Sequence, residues 1–179
     1  IAFQEGDASA LTDLADDSFE LVVSIFGAMF APRPYDVAKE MVRVTKPGGR
    51  IVMGNWIPGD PTLIAQVLKV SAAYAPPPPE GFVSPVLWGK EDEVRARFAA
   101  AGVPDANVTA SRELYTFRFD GPPKDFVDLF RTWYGPVLKA FAALDPAGQA
   151  RLEADLLALI ERLNRSGDGT MVVPGTYLE

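Results

Sequence analysis

The stretch that decides the fold is Phe19-Glu20-Leu21-Val22-Val23-Ser24-Ile25-Phe26 followed, past two prolines, by Pro47-Gly48-Gly49 and Arg50-Ile51-Val52-Met53-Gly54-Asn55-Trp56. The first run is nearly continuous in apolar, largely β-branched residues, the pattern of a parallel strand buried on both faces. Asp16-Asp17-Ser18 turns the chain before it, and Gly27 with Pro32-Arg33-Pro34 loops out after it. Pro34 suits the first turn of a helix. Val37, Ala38, Met41, Val42 and Thr45 recur at helical spacing, with Lys39, Glu40 and Arg43 between them. Lys46 complements the dipole of the last turn, and Pro47-Gly48-Gly49 stops the helix. Residues 50–56 form the next strand. The first third is therefore strand–helix–strand, the right-handed parallel crossover unit.

Upstream, Ile1-Ala2-Phe3-Gln4 alternates apolar and polar and reads as a strand, with Glu5-Gly6-Asp7 as its turn. A chain that opens in mid-element, without Met, is expected to be trimmed at its N-terminus. Downstream, the spacing predicts helices over Pro61–Tyr74 and Glu91–Ala101, the latter closed by Gly102. Val108–Phe119 carries an antiparallel-type strand, alternating over 115–119. Pro122-Pro123 opens a helical region that runs to about 165. Phe126, Val127, Phe130, Trp133 and Tyr134 line its first stripe; Leu152, Leu156, Leu159, Ile160 and Leu163 line its last. Asp145-Pro146 caps that last helix. Residues 170–174 form a final strand. The organisation is one domain over 1–179 with a helical cap inserted near 120–165.

Composition narrows the chemistry. The 179 residues include no Cys and no His. That excludes disulfides, thiolate nucleophiles, iron–sulfur clusters, His-based triads and the common Cys/His metal sites; no metal is expected. The net charge of −7, with cations scattered, excludes the basic footprint of a nucleic-acid binder. The longest apolar stretch, Leu21 to Pro32, is too short to cross a bilayer. No basic leader opens the chain, so the expected location is cytoplasmic, with no membrane partner.

Glu5-Gly6-Asp7-Ala8, then Asp16-Asp17-Ser18-Phe19-Glu20-Leu21-Val22-Val23-Ser24, then Pro47-Gly48-Gly49-Arg50, in this order and spacing, resemble the class I S-adenosylmethionine-dependent methyltransferases, nearest their small-molecule, quinone-biosynthesis-like group. Asn55-Trp56, Tyr134-Gly135-Pro136 and Val173-Pro174 extend the likeness along the chain. The resemblance implies an α/β, Rossmann-like sheet, N-terminally truncated here, with a helical cap and antiparallel C-terminal strands. It implies S-adenosylmethionine as cofactor. The family's Gly-rich loop and ribose-binding acid would lie upstream of Ile1. Leu11-Thr12-Asp13-Leu14 departs from the family's Leu-Pro-Phe.

The residues argue the same pocket independently. Asp7 can accept from an adenine amine, and the Ala8 backbone N–H can donate to a ring nitrogen. Ser24 and Ile25 end a parallel strand, where ligands of open α/β sheets bind. Met29 and Phe30 supply an apolar wall. The methyl acceptor, a small apolar or aromatic molecule, is expected against Phe30, Trp56, Trp133 and Tyr134, with Trp88 a further aromatic of the same kind. Asp60, Glu80, Glu113 and Tyr134 are available as bases, but nothing selects among them, so no catalytic residue is named. The competing reading is a non-catalytic module that keeps the fold without binding the cofactor fully. An NAD-type oxidoreductase is disfavoured, since no G-x-G-x-x-G follows a strand. If the sheet lacks its first strands, the strand at 20–26 presents a bare edge, which calls for a homodimer or for upstream chain.

Overall fold

The computed structural model describes all of residues 1–179. Four strands form one sheet in the order β1–β2–β4–β3. They are β1 (Phe19–Ile25), β2 (Thr45–Trp56), β3 (Arg112–Phe119) and β4 (Met171–Leu178). Six helices accompany them: α1 (Pro34–Val44), α2 (Leu63–Ala72), α3 (Glu91–Ala100), α4 (Pro123–Trp133), α5 (Gly135–Ala142) and α6 (Pro146–Leu163). The chain divides into two compact units. The first comprises Ile1–Pro58, Gly81–Glu113 and Tyr177–Glu179; the second comprises Gly59–Glu80 and Leu114–Thr176.

In the first unit β1 and β2 pair in parallel, Leu21 opposite Arg50 through Ile25 opposite Gly54. The connection is α1, as the crossover pattern requires. Its apolar face, Val37, Ala38, Met41 and Val44, is buried. The helix ends at Val44, and Thr45 already pairs with Phe19, so β2 begins before the Pro-Gly-Gly turn instead of after it. Between Thr45 and Arg50 the register slips, and Lys46–Gly49 bulge out of the ladder. Gly48 holds φ +78° there. A Cβ on Gly49 would lie 2.7 Å from Thr45 Cγ2 and 3.0 Å from the Glu20 carbonyl. The stop signal is thus a wide bulge inside a long strand.

Beyond the bulge β2 continues to its antiparallel partner, Asn55 opposite Leu178 and Trp56 opposite Tyr177. Ser111 and Glu179 exchange backbone hydrogen bonds of 2.9 Å each, which extends the ladder of β3 and β4. The expected antiparallel C-terminal strands are present.

Two expectations need correction. Residues 1–6 form no strand, and Ile1 and Phe3 are fully exposed. Alternation alone does not make a strand; the backbone groups need a partner, and the sheet ends at β1. Nor is β1 buried on both faces. Leu21, Val23 and Ile25, which share one face, are each more than half exposed. β1 stands at one end of the strand order.

The second unit is helical apart from its strand segments. Leu152, Leu156, Leu159 and Ile160 of α6 are buried, as are Leu63, Ile64 and Val67 of α2, Phe126 and Val127 of α4, and Val137 and Phe141 of α5. The Asp145 carboxylate caps α6 by accepting from the Gly148 N–H at 2.7 Å. No helix is long and apolar enough to cross a membrane.

Candidate functional site

The site is built on a turn anchored to a helix. Asp7 and Ala10 form a tight bridge, in which the Ala10 N–H donates to the Asp7 carbonyl at 2.8 Å. Asp7 Oδ1 accepts from the Ser9 N–H at 2.8 Å and from the Ser9 hydroxyl at 2.6 Å. These bonds, the hydroxyl first, hold the Asp7 carboxyl below its ordinary range, and Arg33 adds a smaller push. Asp7 Oδ2 faces only the Arg33 guanidinium, at 3.6 Å. A carboxylate has room for about four donors, so this oxygen remains open. The half-buried Ala8 keeps its N–H without a protein acceptor.

The face of α1 holds this turn. Glu40 accepts from the Leu11 N–H at 2.6 Å. Arg43 donates to the carbonyls of Leu11 and Leu14, at 2.8 Å each, and to Asp16 and Glu40. Arg33, at the entrance to α1, pairs with both Asp7 and Asp36. The acidic bend and the loop after β1 are therefore tied to one helix.

That loop is shaped at the carboxyl end of β1. The Ser24 hydroxyl accepts from the Ala28 N–H at 2.9 Å and closes the turn Ala28–Phe30. Phe26 adopts φ +59°, a conformation costly for a residue with a Cβ. Its ring lies flat on Trp56, and Tyr177 meets both edge-on. This aromatic cluster caps the carboxyl ends of two parallel strands, the usual ligand end of an open α/β sheet.

The first unit thus contains Asp7, Ala8, Ser24, Ile25, Met29, Phe30 and Trp56. Asp7, Ala8, Ile25 and Phe30 present surface. Of the expected apolar wall only Phe30 does so; Met29 is 1% exposed and belongs to the core. Trp56 is likewise buried, its ring committed to Phe26. Trp88 is buried beneath the Arg97 guanidinium, 4.5 Å from its ring centre. Trp133 and Tyr134 belong to the second unit. Trp133 is exposed, and the Tyr134 hydroxyl is buried without a partner, its pKa pushed up to about 12 by burial. The sequence reading passed over Phe26, Arg33, Glu40 and Arg43. An arginine between two prolines was the only visible hint; the left-handed Phe26 leaves no mark in the sequence.

Residues 1–53 match the methyltransferase domain family. A Mycobacterium tuberculosis protein described as uncharacterised is 34% identical over 161 residues, which is 89% of this chain. The chain spans 57% of that relative's length. A demethylmenaquinone methyltransferase from Renibacterium salmoninarum is 45% identical over 56 residues, 31% of this chain and 23% of its own length. The crystal structure of a Bacillus halodurans protein assigned as a methyltransferase superposes with a TM-score of 0.53 at 17% identity. That superposition covers 97% of this chain and 67% of the other. The family match thus covers the first third of the chain, acidic bend included, and the superposition shows that the α/β fold is shared with that structure.

Proposed function

We propose that the protein of which this chain is part transfers a methyl group from S-adenosylmethionine to a small, apolar or aromatic organic acceptor. The observation that carries the reading is the pair at the bend: an open Asp7 Oδ2 beside an Ala8 N–H with no protein acceptor. One acceptor and one donor, adjacent and rigidly held, match the amine and ring nitrogen on the edge of an adenine. The open space beside Gly6 and Gly27, where no atom lies within 4 Å of a built Cβ, leaves room for a flat ring. The residues present therefore fit the adenosine end of the cofactor.

S-adenosylmethionine, when bound, supplies a sulfonium methyl that needs no further activation. The chain's own part is to hold and to orient. Asp7 and Ala8 grip the base, Ile25 and Phe30 give it apolar contact, and Arg33 and α1 keep the bend in place. No side chain is assigned as general base.

Calorimetric titration with S-adenosylhomocysteine tests the reading. Micromolar binding that weakens roughly tenfold in Asp7→Asn, the loss expected for one charge-assisted hydrogen bond, supports it. No heat from the wild-type chain favours a module that keeps the fold without holding the cofactor.

A further inference from the structure

β1 ends where its backbone leaves the strand pattern. From Leu21 to Ile25 each residue lies opposite one of β2. The Phe26 N–H still donates to the Gly54 carbonyl at 2.9 Å, as the next rung of the ladder. Its φ, however, is +59°, where a parallel strand holds about −120°. That difference is close to a half-turn about the N–Cα bond. The chain after Phe26 therefore leaves in a direction that an extended residue does not give.

The break falls on a costly residue. Gly27, next in the chain, could take a positive φ without penalty, yet it lies in the ordinary right-handed region at φ −86° and ψ −57°. The ring is what holds Phe26 left-handed. It crosses from β1 onto β2 and lies over Gly54, where a built Cβ would meet its Cζ and Cε1 at 3.5 and 3.6 Å. There it stacks on Trp56. Trp56 is fixed in turn, since Gly89 approaches its carbonyl closely enough to exclude a Cβ.

A hydrogen-bonded turn follows. Across the break, the Ser24 hydroxyl accepts from the Ala28 N–H at 2.9 Å. The Phe30 N–H donates to the Gly27 carbonyl at 3.1 Å, and the Ala31 N–H to the Ala28 carbonyl at 3.2 Å. This turn puts Met29 in the core and Phe30 at the surface, and it delivers the chain to Arg33, which pairs with Asp7. The apolar side of the candidate site and one mooring of the acidic bend thus both lie downstream of a single backbone angle.

We propose that Phe26 is a positioning residue for S-adenosylmethionine: its left-handed backbone, locked by the stack on Trp56, sets the course of residues 27–33 and so fixes Phe30 and Arg33 at the site. The inference rests on the cofactor reading above. Glycine would permit this angle without enforcing it. Phenylalanine enforces it, and a loop already held in its binding form loses less freedom when the ligand arrives.

The test separates backbone from ring. Phe26→Gly, Phe26→Asn, Phe26→Ala and Phe26→Val all lose the ring, so the lost stack is common to the four. Glycine and asparagine accept a left-handed backbone; alanine resists it, and β-branched valine resists it more. Hydrogen exchange at the Ala28, Phe30 and Ala31 amides is read relative to Met41 and Val42 of α1, which report differences in overall stability. The alanine and valine variants are expected to exchange at the three turn amides about fivefold faster than the other two, and to bind S-adenosylhomocysteine about fivefold more weakly in calorimetry. Equal relative exchange in the four overturns the proposal. Equal loss of affinity in the four also overturns it, because the ring is then a ligand contact. Wild-type affinity in all four overturns it as well. No heat from the wild-type chain sinks the cofactor reading and the ligand half of this proposal with it; the exchange order then decides the backbone half alone.

Discussion

Phe26 and Trp56 stack face to face across the ends of β1 and β2, ring centres 3.8 Å apart and planes within 3°. Phe26 reaches that position only by taking φ +59°. Packing here overrides the backbone preference of the residue. A left-handed conformation costs an L-residue about 1–2 kcal/mol, and glycine almost nothing. Both Phe26→Ala and Phe26→Gly lose the ring and are destabilised. The glycine variant is expected to be the more stable of the two by roughly 0.5–1 kcal/mol, after its greater unfolded-state entropy is counted. Urea denaturation of the pair decides this; alanine proving more stable would mean that the backbone relaxes once the ring is gone.

Gly89 provides the sharpest steric test. A Cβ there would lie 2.0 Å from the Trp56 carbonyl oxygen and 2.6 Å from its carbon. Those are backbone atoms at the end of β2, which have little freedom to retreat. Gly89→Ala is expected to cost about 3 kcal/mol or more, in the range of overpacking in a closed interior. Gly135→Ala, with nothing within 4 Å of its Cβ, is the control and should be close to neutral.

Arg43 joins α1 to the bend through the Leu11 and Leu14 carbonyls and through two carboxylates. Its planar fork makes contacts that an ammonium cannot reproduce. Arg43→Lys and Arg43→Met should both raise exchange at the Ala10, Leu11 and Leu14 amides several-fold, the lysine rescuing little. Unchanged exchange at these amides in Arg43→Met would show that the bend is held by Glu40 alone.

Asp7 carries a prediction about pH. Its folded carboxyl titrates below the ordinary value of 3.8, chiefly through the Ser9 hydroxyl and then the Ser9 N–H. A lowered carboxylate pKa stabilises the fold above the unfolded pKa, and that contribution is lost as pH falls through the folded value. Ser9→Ala should raise the Asp7 pKa more than Arg33→Gln does, because Arg33 stands at 3.6 Å and in solvent. Carbon-13 titration of the Asp7 carboxyl in the two variants measures the order directly; a larger effect from Arg33→Gln would contradict it.

Tyr134 titrates from the other side. Burial raises its phenol from the ordinary 10.0 to about 12. Its neutral form is favoured in the fold, so the contribution is complete below pH 10 and lost as pH rises through about 12. Ultraviolet difference titration of Tyr134→Phe should lack one late phenolate step. At pH 7 the variant should be as stable as the wild type or slightly more so, since the hydroxyl it removes is buried and unpartnered.

The strand–helix–strand unit was legible because its signals are local. Valines and isoleucines in a run, a proline at the helix start and apolar residues at helical spacing each act within a few residues of themselves. The same locality explains the errors. Ile1-Ala2-Phe3-Gln4 has the alternation of a strand, but pairing is a property of two segments, and the sequence of one says nothing about the other. Pro47-Gly48-Gly49 correctly marked a break, yet whether the break ends a helix or bulges a strand depended on Thr45 finding Phe19. Met29 and Phe30 are chemically alike and adjacent; only the turn fixed by Ser24 and Ala28 decides that one is buried and the other exposed.

By itself, then, the sequence determined the parallel crossover, the Asp145 cap of α6, the acidic bend and the kinds of chemistry open to a chain without cysteine or histidine. Each follows from composition or from contacts a few residues apart. Tertiary structure alone decided that Arg33 and Arg43 moor the bend and that Phe26 is strained onto Trp56. Those features arise between segments far apart in the chain, where geometry is set by packing and hydrogen-bond register, which no local pattern encodes.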